Sequence, residues 1–223
     1  MLNKVRQGSN MYDWISSTWN PIKGKCVRHD CIYCYMKRFP QKPVRLDEKT
    51  LKEDLGKNNI IFVGSSCDVF AKDIPDNWIS RVLEHCAAYP ENQYIFQSKD
   101  PSRIYQFRNA LPKNSFIGTT IETNRDYNLS KAPGVQDRAY FMGQLDSIAH
   151  GFKKFVTLEP ICDFDVNELL LLIRMCKPDW VNIGADSKNH HLPEPSRAKV
   201  NDLIVELKKF TEVRKKTNLE RLS

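Results

Sequence analysis

From residue 60 onward the hydrophobic positions fall into two alternating patterns. Short β-branched and aromatic runs occur at Ile60–Gly64 (IIFVG), Gln93–Gln97 (QYIFQ), Ser115–Ile121 (SFIGTTI), Lys154–Leu158 (KFVTL) and Asp179–Gly184 (DWVNIG). Each is apolar along most of its length, as expected of a parallel strand covered on both faces. Between them lie stretches with helical spacing, near 76–89, 101–110, 136–150, 165–176 and 195–216. Several open on a cap-like signal: Asp76 after Pro75, Asp100-Pro101-Ser102, Asp165, and Pro195-Ser196. A further helix is predicted over 47–56, from Asp47 and Glu48 to Gly56, and Met11–Thr18 (MYDWISST) is read as a first strand.

About six βα units in series imply an α/β fold with a parallel sheet and right-handed crossovers. Six units rather than eight predict a partial (β/α)6 barrel of the TIM type; a doubly wound sheet is the alternative. The 223 residues suit a single domain, its core over about 11–190 and a basic C-terminal helix or tail over about 195–223. In either architecture ligands sit at the carboxyl ends of the strands. The unusual residues gather at those ends: Gly64-Ser65-Ser66-Cys67-Asp68, Gln97-Ser98-Lys99-Asp100, Thr119-Thr120-Ile121-Glu122, Leu158-Glu159-Pro160 and Gly184-Ala185-Asp186-Ser187.

Composition adds boundaries. With 41% hydrophobic and 27% charged residues, no repeat and no apolar run near the ~20 residues of a membrane helix, the chain reads as a globular, non-membrane protein. Its N-terminus lacks a signal-peptide stretch, which predicts the cytoplasm, where seven cysteines are thiols or metal ligands rather than disulfides. The net charge of +7 is unevenly spread. Residues 23–45 hold seven Lys and Arg against Asp30 alone, and Lys208–Arg221 holds six against two glutamates. Such patches attract phosphates, including a nucleic-acid backbone, or simply solvate a face.

Cys26, Cys31 and Cys34 have C-x4-C-x2-C spacing inside TWNPIKGKCVRHDCIYCY. Three soft thiolates this close can converge on one metal centre, and the neighbouring Lys and Arg are expected to lower their pKa values. Iron–sulfur clusters usually take four cysteines, so three leave one iron open to a small molecule. A structural zinc using His29, Cys67 or Cys162 as a fourth ligand is the alternative, as are three unligated thiols.

The segment CIYCY resembles the second half of a radical S-adenosylmethionine signature, although its first gap holds four residues where three is commonest. TWNPIKGKC…CIYCY, IFVGSSCDVF…DIPDNWI, TLEP and DWVNIGA together are similar to a phage- and prophage-associated radical-SAM-like family of uncharacterised function, near the spore photoproduct lyase branch. This resemblance runs in order from about Thr18 to Ser187. It implies an enzyme with a 4Fe-4S cluster on Cys26, Cys31 and Cys34, S-adenosylmethionine as cofactor, and an external electron donor of the flavodoxin or ferredoxin kind. The substrate it implies is unknown, with nucleic acid or a nucleotide favoured; a non-catalytic zinc- or cluster-containing nucleic-acid-binding or redox protein is the alternative.

The resemblance also implies roles. The backbone at Tyr33 would meet the adenine edge, and the turn Gly64, Ser65, Ser66, Asp68 would receive the methionyl amino group. Lys99 would pair with the methionyl carboxylate, and Thr120 and Glu122 would face ribose or carboxylate. A carboxylate at an apolar strand end needs a partner if buried. Glu122 and Glu159 are therefore either ligand-facing or paired with a basic neighbour. Gly184 would let adenine pack on backbone. Cys86 and Cys176 are expected to pack in helices, and Tyr12, Trp14 and Trp19 to pack near the cysteine loop.

Overall fold

The computed structural model describes residues 2–5, 12–25, 29–40, 42–145 and 151–222. Cys26 and Met11 lie outside the described residues, as do residues 146–150 of the expected fourth long helix.

The expected runs form the centre of one sheet. Strands β1 (Asn3–Lys4), β2 (Ser17–Trp19), β5 (Ile60–Val63), β6 (Gln93–Gln97), β7 (Ser115–Thr120), β8 (Lys153–Leu158), β9 (Trp180–Ile183) and β10 (Glu212–Lys215) lie side by side in chain order. A separate hairpin joins β3 (Ile22–Lys23) and β4 (Arg45–Leu46). Strands β2 and β5 through β10 are parallel; β1 is an antiparallel edge on β2. Strand order that never reverses excludes the doubly wound alternative, whose sheet has a switch point. The fold is a partial barrel of the TIM type, with a seventh parallel strand beyond the six expected.

Helices α1 (Glu48–Leu51), α2 (Asp76–Ala87), α3 (Pro101–Gln106), α4 (Val135–Gln144), α5 (Val166–Cys176) and α6 (Arg197–Leu207) make the crossovers. Asp47 caps α1 by accepting from Thr50 N–H at 2.9 Å, and Ser196 caps α6 from Lys199 N–H at 3.3 Å. Alternation along each strand splits the core in two. Ile61, Val63, Tyr94, Phe96, Ile117, Val156, Leu158, Val181 and Ile183 face the helices in the main core, which also takes in Cys86 and Cys176. Ile95, Phe155 and Trp180 face the other way, onto Tyr12 and Ile15.

Several expectations change here, and the helix expected over 47–56 forms only over Glu48–Leu51. The apolar run at the N-terminus is a plug more than a strand: Tyr12 and Trp14 fill the concave face of the barrel against Phe155 and Trp180, with ring centroids 5.5–6.3 Å apart. Trp19 packs on the outer side instead, stacked on His85 at 5.2 Å. The predicted helix over 195–216 stops at Leu207, and Glu212–Lys215 adds a parallel strand to β9. Its charged, alternating side chains suit a sheet edge.

Candidate functional site

Because the plug occupies the N-terminal ends of the strands, the open space lies over their C-terminal ends, as a cavity of about 800 Å³. Its floor is a chain of hydrogen bonds across four strands. Gln97 Nε2 donates to Thr120 Oγ1 at 3.1 Å, and Tyr12 OH donates to Gln97 Oε1 at 2.8 Å. The Thr157 hydroxyl meets the Tyr12 oxygen at 2.7 Å, and Asn182 Nδ2 donates to Thr157 at 3.4 Å. Burial pushes the Tyr12 hydroxyl above the ordinary tyrosine range, so it stays a donor.

Beside this floor stands a buried ionic cluster. Glu122, 2% exposed, receives Lys99 Nζ at 3.1 Å on one oxygen and Arg138 Nη1 at 2.9 Å on the other. The Tyr33 hydroxyl also donates to it. Burial alone would raise the Glu122 pKa, but Lys99, Arg138 and Tyr33 together outweigh it and hold the group at about 2. Tyr33 is pushed well above its ordinary range, by burial first and the Glu122 charge second. Lys99 is raised: burial opposes its charge, and the Glu122 carboxylate, with a smaller contribution from Cys31, overcomes that. Arg138 spends its remaining donors on Pro133 O (2.6 Å), Thr120 O (2.9 Å) and Ser130 Oγ (3.4 Å). Two cations on one carboxylate leave the cluster with one positive charge in excess, carried at the cavity by Lys99.

The turn after β5 is shaped by its backbone. Gly64 has φ +76°, and a Cβ there would lie 2.4 Å from Val69 Cγ2 and 2.7 Å from Cys67 O, so only glycine fits. One residue clamps the turn: Asn20 Oδ1 accepts from Ser66 N and Ser66 Oγ at 2.9 Å each and from Ser65 Oγ at 3.2 Å. Asp68 is bound inward. It accepts from Phe70 N and Ser98 Oγ at 2.9 Å and from Lys99 N at 3.0 Å, and faces His29 Nδ1 at 3.2 Å. It ties the ends of β5 and β6 to the cysteine loop, so its oxygens have protein partners already.

Cys31 and Cys34 are free thiols on the wall of the same cavity. Cys34 N–H donates to Cys31 O at 3.2 Å, a turn that carries both side chains together. The loop is pinned by Ile32 N to Leu129 O (2.9 Å), by Lys131 N to His29 O (2.7 Å), and by Asp30, which gathers Lys131 (3.0 Å), Lys37 (3.2 Å) and Lys25 (3.7 Å). The basic neighbours do not lower the Cys31 thiol as expected: burial raises it and outweighs Lys99. Lys25, Lys37 and Lys131 turn to Asp30 instead. Among the described residues, no group of three His, Cys, Asp or Glu is placed to hold a metal.

On the opposite wall, Glu159 is paired with a basic neighbour, Lys216 Nζ at 2.6 Å, and with Asn218 Nδ2 at 2.8 Å. Gly184 makes that possible, since a Cβ there would sit 2.8 Å from the Glu159 carboxyl carbon. The basic C-terminal stretch is thus part of the site wall rather than a loose tail. Tyr33, Gly64, Ser65, Ser66, Asp68, Lys99, Thr120 and Glu159 all line or border one cavity, with Glu122 directly behind Lys99. Sequence reasoning singled out Tyr12 and Gln97 without their roles in the floor, and missed Arg138, Asn20, Thr157 and Lys216. Only Asn20, between Trp19 and Pro21 at a strand end, carried a local signal of a turn clamp.

The family profile described as a protein of unknown function, DUF5131, matches residues 9–198. The chain belongs to the DUF5131 family. No curated protein matches this DUF5131 member. Solved structures of spore photoproduct lyase do. A cysteine-to-alanine variant with dinucleoside spore photoproduct is 11% identical, with a TM-score of 0.67 over 94% of this chain and 80% of that one. A doubly substituted variant with bound AdoMet and dinucleoside spore photoproduct is 12% identical, with a TM-score of 0.61 over 91% and 66%. The complex with dinucleoside spore photoproduct is 10% identical, with a TM-score of 0.66 over 94% and 80%. At such identities the likeness is one of fold: this DUF5131 chain has the partial barrel of spore photoproduct lyase. Among the described residues no helix is long and apolar enough to cross a membrane.

Proposed function

We propose that the protein is a radical S-adenosylmethionine enzyme whose substrate is a nucleotide or nucleic acid. One observation carries the reading: two free thiols, a glycine-dependent turn and a buried cluster with one excess positive charge share a single cavity at the strand ends. The donor set fits the implied groups. Cys31 and Cys34, with Cys26 of the same loop, would hold a 4Fe-4S cluster and leave one iron open. When bound, the cluster and S-adenosylmethionine supply reductive cleavage to a 5′-deoxyadenosyl radical that abstracts hydrogen from substrate, the electron coming from a flavodoxin- or ferredoxin-like donor.

The chain's own residues bind and orient. Lys99 holds its charge in a buried place, where a carboxylate is worth more to it than in water. Arg138 already balances Glu122, so Lys99 can share its remaining N–H groups with the methionyl carboxylate without leaving Glu122 unpaired. The turn at Gly64, Ser65 and Ser66 would take the amino group through backbone and hydroxyl oxygens, Asp68 holding that turn against β6. The Tyr33 backbone would border adenine and Thr120 the ribose, while Gly184 is covered by the Glu159 and Asn218 side chains. The Tyr12–Trp14 plug keeps water from entering through the bottom of the barrel.

Support for the nucleotide substrate is the basic cavity wall and the dinucleoside named with the neighbouring lyase structures. The test is anaerobic purification, measurement of iron, sulfide and the visible spectrum, then addition of dithionite and S-adenosylmethionine. An iron–sulfur chromophore and release of 5′-deoxyadenosine are expected. Zinc without iron would overturn the reading, and a cluster that never yields 5′-deoxyadenosine would indicate an electron-transfer or sensing protein. Cys31→Ser is expected to remove the cluster while the unfolding transition stays cooperative.

A further inference from the structure

Past Cys34 the loop runs through a short 3-10 helix, Tyr35–Arg38, to Phe39. Seven large hydrophobic side chains are strongly exposed among the described residues, and three of them are here: Ile32 at 47%, Tyr35 at 41% and Phe39 at 46%. The other four are spread over the outer helices. Exposed aromatics grouped on one short segment indicate a binding surface, whereas scattered ones need no explanation.

The group is ordered and charged. Tyr35 OH donates to Ser65 O at 2.8 Å, which fixes its ring against the Gly64 turn. The Arg38 guanidinium carbon lies 4.8 Å from the Phe39 ring centroid and 5.9 Å from that of Tyr35, so the cation serves both rings. Tyr35, Lys37 and Arg38 line the mouth of the cavity described above. Lys4 of β1 and Lys188 beyond β9 line it too, both exposed. Asp30 offers one carboxylate to three lysines, so the cysteine-loop rim keeps a positive excess even after pairing.

We propose that Tyr35, Arg38 and Phe39 form a stacking platform for a single-stranded nucleic acid, with Lys37, Lys4 and Lys188 at the cavity mouth taking its phosphates. Aromatic faces and a guanidinium stack on bases only where those bases are unpaired, and lysine rims follow a phosphate backbone. A duplex presents no base faces to such a surface. An acidic protein would also satisfy the charge, but the same side chains continue into the cavity wall. A flexible strand lying on them can enter that cavity; a docked protein would cover it. The platform deepens the reading above by giving the form of the substrate, and rests on that reading only for the chemistry at the delivered nucleotide.

Fluorescence anisotropy of a labelled oligothymidine with the full chain, purified anaerobically, tests this without turnover. Single strand is expected to bind about tenfold or more tighter than duplex, with log K falling on log salt at a slope of roughly −2 for three phosphates. Phe39→Ala and Arg38→Ala should each weaken binding about tenfold, and Phe39→Trp should retain it. Tyr140→Ala, on an outer helix, should change nothing, and thermal melts establish that each variant is folded. Equal affinity for duplex, or undiminished binding by Phe39→Ala, overturns the platform. So does loss of binding to an acidic flavodoxin in Phe39→Ala while oligonucleotide binding persists. Oligonucleotide binding in a protein that forms no 5′-deoxyadenosine would keep the platform and sink the radical chemistry; cleavage without strand binding does the reverse.

Discussion

Replacing Glu122 by glutamine leaves the shape of the cluster in place and removes its only negative charge. In the folded protein Glu122 is held at about 2, against an ordinary value of 4.5. At about 1.4 kcal/mol for each pH unit, that difference corresponds to a contribution on the order of 3 kcal/mol at neutral pH. Because the folded value is the lower one, the contribution is complete above about pH 4.5 and fades as the pH falls toward 2. Glu122→Gln should therefore lose about 3 kcal/mol at pH 7, a drop of roughly 6–12 °C in Tm for a domain of this size. The loss should shrink to nearly nothing near pH 2. Guanidinium unfolding of wild type and variant at pH 7, 4 and 2.5 gives the curve. Removing an excess cation as well, in Lys99→Met with Glu122→Gln, should recover part of the loss, since one fewer buried charge is left unpaired. A loss below about 1 kcal/mol at pH 7, or one that is the same at pH 7 and 2.5, would refute the charge reasoning.

Further expectations follow from single contacts. Gly64→Ala should cost about 2–3 kcal/mol and abolish S-adenosylmethionine binding in equilibrium dialysis, because the left-handed backbone and the Val69 and Cys67 contacts both oppose a methyl group. Tyr12→Phe should cost about 1–2 kcal/mol in urea unfolding, since it leaves Gln97 and Thr157 a partner short at the cavity floor. Leu219→Ala should cost about 2–4 kcal/mol, because that side chain is fully buried in the main core. A negligible change there would mean the C-terminal stretch does not close the site wall.

The strands from β5 to β9 were legible because burial on both faces leaves an unmistakable apolar run. Other elements were not, the β1 edge and the β3–β4 hairpin among them. Tyr12–Ile15 is as apolar as a strand because a plug inside a barrel is buried like one, so hydrophobicity alone cannot separate them. Strand β10 reads EVRK because it forms a charged edge, and the helical spacing of α6 runs into it without a break. For the site, turn residues such as Gly64 and strand-end groups such as Lys99 were visible, since their position relative to a strand follows from local pattern. Their partners were not. Arg138 reaches Glu122 across 16 residues, Asn20 reaches Ser66 across 46, and Tyr12 meets Thr157 across 145. Each contact exists only once the sheet has curled, and nothing in the local sequence of either partner records it. The buried thiol shows the same limit: counting nearby lysines predicts a low pKa at Cys31, whereas closure both buries it and directs those lysines to Asp30.

The order of the strands explains why the large cavity lies at one end of the barrel. A sheet wound in a single direction has no switch-point crevice, so a concave face must be filled or left open. Here Trp14, Phe155 and Trp180 fill its lower half, and the chain of Gln97, Tyr12 and Thr157 caps that apolar layer with polar groups whose hydrogen bonds are met. Among the described residues, the concave face of the barrel is therefore open above this floor. There the walls come from opposite ends of the chain, the cysteine loop on one side and Lys216 and Asn218 on the other, each held by a buried or half-buried carboxylate. Neither carboxylate stands alone at the cavity surface. The charge left over for a ligand is positive, and Lys99 presents it beside the two thiols. A ligand that satisfies such a place carries an anionic group within reach of Lys99.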